Sequence, residues 1–135
     1  MKKENWIWMP HPGHFICSRD CKFFLNTYVG KYIVSTVGEY LPDSQSREIL
    51  AKSRGIILEG RGDERLADFM EKIGYEEIGC DRKYETMVFP AKKSEHKCCP
   101  YEASNYEAID FDAYNTAKDA FRGHYKICQK WGSKK

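Results

Sequence analysis

The residues of this chain best suited to chemistry are its six cysteines and four histidines. All but Cys80 fall into three groups: His11, His14, Cys17 and Cys21 in HPGHFICSRDC; His96, Cys98 and Cys99 in HKCC; and His124 with Cys128 in GHYKIC. Thiolates and imidazoles are the donors that zinc gathers in tetrahedral fours. Cys17 and Cys21 are separated by three residues, within the roughly 2–4 residue spacing of structural zinc ligands. On a helix, His124 and Cys128 stand one turn apart and reach toward one point. Three segments distant in sequence can therefore meet around one zinc ion. The preferred ligands are Cys17, Cys21, Cys98 and His124, with His14, Cys99 and Cys128 as substitutes. Adjacent side chains diverge, so only one of Cys98 and Cys99 is expected at the ion. Other readings stand beside these. Cys80, between two expected strands, reads as a core thiol; Cys128 reads equally as an apolar filler beside Phe121 and Trp131; and His11 and His14 read equally as loop imidazoles.

Catalytic signatures are absent from the sequence. No histidine opens an HExxH frame, and Pro100 follows the cysteine pair instead of preceding a CxxC, so neither the metalloprotease nor the zinc-deaminase pattern is present. The glycines at 55, 60 and 62 lack the lysine and hydroxyl of a phosphate loop. A thiolate-rich site without an adjacent base reads as structural, and the chain as a binding protein and not an enzyme. A nucleophilic Cys80 or Cys99 served by His96 is the enzymatic alternative, and a zinc-stapled nucleic-acid module is a third reading.

Elements must position these groups. A short strand is expected over Trp6–Met9, halted by Pro10 and Pro12. Aromatic and β-branched residues from 22 to 40 read as a hairpin turning at Gly30-Lys31. Asp43 or Ser44 caps a helix over about 46–54 that turns Ile49 and Leu50 inward and stops at Gly55. Asp63 caps a second helix whose stripe is Leu66, Phe69, Met70 and Ile73. A second hairpin is expected from 75 to 89, turning at Cys80-Asp81-Arg82 and ended by Pro90. Residues 91–106 form a long loop, which in a compact domain needs something to hold it. Asn115 or Thr116 caps a last helix to Trp131, with Ala117, Ala120, Phe121, His124, Cys128 and Trp131 facing inward. Two hairpins, an extra strand and three helices imply an α+β fold with a mainly antiparallel sheet, stapled by the zinc site.

At 135 residues the chain fits one domain, 1–135. A formal charge of +2 argues against a dedicated nucleic-acid or membrane surface, and 14% aromatic residues exclude charge-driven disorder. No apolar run approaches the ~20 residues that span a bilayer, and MKKENWIWMPHPGHF lacks the apolar core of a secretory leader. A cytoplasmic location is expected, where thiols stay reduced and available to a metal. Charge is unevenly spread: from Glu59 to Glu85 nine acids face five bases. Glu64, Asp68 and Glu71, on the outward side of the second helix, form the candidate surface for a basic partner groove.

The stretches WIWMPHPGHFIC, YIVSTVGEYLPDS, GYEEIGCDRKYETMVF and HKCCPY together resemble a group of short proteins encoded by bacteriophages and prophages. The resemblance covers most of the chain and implies a phage accessory protein acting in the bacterial cytosol. Among such proteins it looks like a type II-A anti-CRISPR metalloprotein, which implies an inhibitor that binds Cas9 and blocks DNA loading or cleavage. No residue role comes with that likeness, because these inhibitors share no common motif.

Overall fold

The computed structural model describes residues 6–14 and 21–134. Within them the strand-forming runs assemble into a six-stranded antiparallel sheet, and with three helices the fold is α+β. The strands are β1 (Trp6–Met9), β2 (Cys21–Val29), β3 (Tyr32–Tyr40), β4 (Tyr84–Lys93), β5 (Tyr101–Ala103) and β6 (Asp110–Tyr114). The helices are α1 (Ser44–Ser53) and α2 (Asp63–Lys72), both between β3 and β4, and α3 (Ala117–Gly132). Spatial order is β1-β2-β3-β4; β6 pairs with β4 opposite Tyr84–Val88, and β5 pairs with it opposite Ala91–Lys93. Gly30 takes a φ of 70° at the β2–β3 turn, where the sequence places it.

Because side chains alternate across a strand, the sheet has two different faces. One is covered by α3, which sets Ile127 and Cys128 against Trp6, Val29, Val34 and Val88. The other gathers Met9, Ile33, Phe89 and Ala103 beneath the chain that follows β1 and the chain that follows β4. Helices α1 and α2 bury a separate small cluster of Ala51, Leu58 and Phe69. Arg65 ties the two helices together by donating to both carboxylate oxygens of Glu48, at 2.7 and 2.6 Å. Asp43 caps α1 by accepting from the Ser46 N–H, and Thr116 caps α3 by accepting from the Asp119 N–H.

Several expectations are corrected. Residues 75–79 do not form a strand: only the isolated bridges Tyr40↔Glu76 and Gly79↔Arg82 remain. Cys80 and Asp81 both adopt positive φ, at 52° and 57°, in the tight turn between the latter pair, which leaves Cys80 exposed and not in a core. Strand β4 continues through Pro90, whose carbonyl accepts from Ser104 on the side away from β3. Its missing N–H faces that same side, beyond the last β6 pair at Val88, so no ladder bond is lost. The expected long loop contains β5, and β6 follows it. The residue flanking α2 is Gly62, with Asp63 its first helical residue and no side-chain cap. Ile49 and Phe121, expected inward, are exposed. Among the described residues no helix is long and apolar enough to cross a membrane.

Candidate metal centre

Two connections meet over the sheet face opposite α3. The first runs from the end of β1 through Pro10 to His14, and its conformation is held by buried polar contacts. Asn26 donates its amide to the His11 carbonyl at 2.9 Å. His14 enters the sheet, 5% exposed, with Nδ1 2.7 Å from the Ser35 hydroxyl and Nε2 3.2 Å from the Glu85 carboxylate. A neutral imidazole satisfies both contacts if Ser35 donates to Nδ1 and the Nε2–H donates to Glu85. Gly13 makes this approach possible: a Cβ there would lie 2.6 Å from Ser35 Oγ and 2.8 Å from Asn26 Oδ1. The second connection, between β4 and β5, is closed by Ser94 N–H donating to the Pro100 carbonyl at 2.9 Å. Tyr101 then stacks on Tyr28 with ring centroids 3.7 Å apart.

This packing carries Cys98 and Cys99 to His11. One ligand atom from each of the three lies within 4.8 Å of the others, and Cys99 Sγ is 3.5 Å from His11 Nδ1. Tetrahedral zinc with bonds of ~2.3 Å to sulfur and ~2.0–2.1 Å to nitrogen separates such atoms by about 3.5 Å. The donor set therefore fits a metal ion. Burial, and then the neighbouring Cys98, hold the Cys99 thiol above its ordinary pKa. A cation beside the Cys99 sulfur would favour its thiolate against that burial. The group borders a cleft of about 300 Å³ that is also lined by His96, Asn26, Glu102 and Tyr106.

The expected ligands are only partly united here. Cys98 belongs to the group, and Cys99 joins it: the bend before Pro100 turns both thiols to one side, contrary to the expectation that one of the pair would be left over. His11, which reads equally as a loop imidazole and is not among the preferred donors, completes the group; its Pro-Gly surroundings marked a loop but could not show what that loop crosses. Cys17 lies outside the described residues. Cys21 begins β2 opposite Tyr40, five residues along the strand from Asn26, roughly 17 Å at the usual rise. It does not fall within the group formed by His11, Cys98 and Cys99.

His124 is corrected outright. It is fully buried beneath α3, on the other face of the sheet, with Nε2 2.8 Å from Thr27 Oγ1 and Nδ1 2.6 Å from Thr36 Oγ1. Thr36 is bonded in turn to Thr86 at 2.6 Å. Both imidazole nitrogens are thus engaged, and burial pushes the His124 pKa down to about 3. Cys128 packs in the same core, where burial pushes its thiol up to about 12. The substitute His14 is likewise engaged, with Ser35 and Glu85.

The acidic surface is narrower than its sequence suggests. Glu85, counted among the nine acids, is buried against His14. Asp68 accepts from Lys72 and from the Glu59 N–H, both at 2.8 Å, so much of its hydrogen-bonding capacity is used within the chain. Glu64 and Glu71 remain exposed on α2. Comparison with protein-family models, with curated proteins and with solved structures returns no match.

Proposed function

We propose that this chain is a zinc-binding phage protein that acts in the bacterial cytosol by stoichiometric binding of a host defence protein, with Cas9 the first partner to test. The observation that carries the metal half of this reading is the convergence of His11, Cys98 and Cys99 from two connections 87 residues apart. Mixed imidazole and thiolate donors favour zinc over the hard cations. His96 lines the same cleft and is the available fourth ligand, which would close the coordination sphere as a structural site does. The partner half rests on the phage resemblance and on the exposed Glu64 and Glu71, which suit the basic channels of a nucleic-acid-handling enzyme.

Two measurements test it. Elemental analysis of protein never exposed to chelator is expected to find about one zinc per chain, reduced at least tenfold by Cys98→Ser with Cys99→Ser; less than a tenth of an equivalent of any transition metal in the parent protein refutes the site. Titration into a Cas9 DNA-cleavage assay is expected to inhibit near one equivalent, with Glu64→Lys and Glu71→Lys weakening inhibition. No inhibition at tenfold excess removes Cas9 as the partner. Inhibition far below one equivalent favours the alternative, a catalytic ion whose fourth position opens into the cleft beside Glu102.

A further inference from the structure

We infer that the outward face of α3 binds single-stranded nucleic acid, with its cations on successive phosphates and Phe121 against a base. The helix carries Lys118, Arg122, Lys126 and Lys130 against a single acid, Asp119, so its excess of three positive charges is larger than that of the whole chain. Lys130 is committed to Asp110 at 3.0 Å. Lys118, Arg122 and Lys126 are exposed, and no ion pair among the described residues uses them. At four-residue intervals they form one row, each about 6 Å further along the axis, a repeat comparable with the phosphates of an extended strand.

The aromatic residue beside this row distinguishes a nucleic acid from an acidic protein. Phe121 is 53% exposed although α3 is otherwise strongly two-faced, with Ala120, His124, Ile127 and Cys128 buried. With Arg122, Tyr125, Lys126 and Gln129 it walls a shallow groove along the helix. An exposed ring next to unpaired cations is the combination that binds single strands without sequence preference, by stacking on bases while cations meet the backbone. The neighbouring hollow is shared by Arg82, Arg122 and Lys126 but bordered by Asp112 and Asp119, which directs the strand to the Phe121 side. This surface lies on the sheet face opposite the metal centre and is independent of it.

The test uses the full, metal-loaded chain and a fluorescein-labelled oligothymidylate, followed by anisotropy. Binding is expected at low salt, with log K falling against log salt at a slope of about −2, since each of three phosphates contributes roughly −0.7 on a single strand. Lys118→Glu with Arg122→Glu and Lys126→Glu should weaken binding at least tenfold without moving the melting curve. Phe121→Ala should weaken it about fivefold or more, the lower end of what one stacked base supplies. Glu64→Lys with Glu71→Lys on α2 should leave α3 binding no weaker. Absence of binding at low salt overturns the proposal, as does equal binding by the charge-reversed protein. Equal competition by polyglutamate, or indifference to Phe121→Ala, also overturns it and assigns the face to acidic protein surfaces.

Discussion

His124 illustrates how a single side chain can look like a ligand in sequence and be a core group in the fold. Thr27 and Thr36 provide one acceptor and one donor for a neutral imidazole, and Thr86 completes the chain of hydroxyls. Such a buried network is favourable only while fully satisfied, and a proton on the ring would turn one nitrogen from acceptor to donor. The folded-state pKa of about 3 lies below the ordinary value of 6.5. The unfolded chain therefore binds the proton first, and this contribution to stability is complete above about pH 6.5 and lost as pH falls toward 3. Denaturant titrations across that window are expected to lose about 1.4 kcal/mol per pH unit through this one residue. His124→Gln should flatten the curve by that slope, whatever its effect on absolute stability. An unchanged slope would mean that His124 is protonated in the native state.

At the scale of elements, α1 and α2 stand apart from the sheet. Their cluster centres on Phe69, fully buried with Ala51 and Leu58 around it. The Arg65–Glu48 pair links the helices on the outside, but solvent screens its exposed groups and it contributes little. Apolar burial must therefore hold the helical pair. Phe69→Ala is expected to cost about 3–5 kcal/mol, more than so small a cluster can lose. Hydrogen exchange should show α1 and α2 amides losing protection while β2, β3 and β4 keep theirs. Simultaneous loss across the sheet would show instead that the two parts unfold as one unit.

For the molecule as a whole, the metal would join the chain before the sheet's second strand to the chain after its fourth. The sheet does not need the ion to pair its strands, since its apolar faces are filled on both sides. Zinc is thus expected to stabilise a fold that exists without it, unlike a zinc finger. Chelation should lower the melting temperature by at least about 5 °C, with roughly 2–4 °C expected for each kcal/mol in a chain of this size. Near- and far-ultraviolet circular dichroism at low temperature should persist. An unchanged melting curve after metal removal would rule out a structural ion, and outright unfolding would show that the sheet depends on it.

Local pattern determined the elements with strong periodicity or chemistry of their own. The 22–40 hairpin, the α2 stripe, the caps of α1 and α3 to within one residue and the α+β class are all legible in short windows, because caps, turns and amphipathic spacing act over a few residues. The density of sulfur and imidazole around Cys98 also singled it out as a candidate donor, and it stands with His11 and Cys99 in the fold. What the sequence could not determine was which face each donor would reach. His124 and His11 are similar as sequence features, yet the rotation of α3 turns one onto the sheet between two threonines, and the chain after β1 carries the other beside Cys98 and Cys99 on the opposite face. Glu85 reads as a surface acid until β3 and β4 pair and His14 folds over them. Phe121 reads as core until α3 takes its rotation from Ile127 and Cys128. Each of these outcomes depends on contacts between residues tens of positions apart, whose geometry exists only once the sheet has closed.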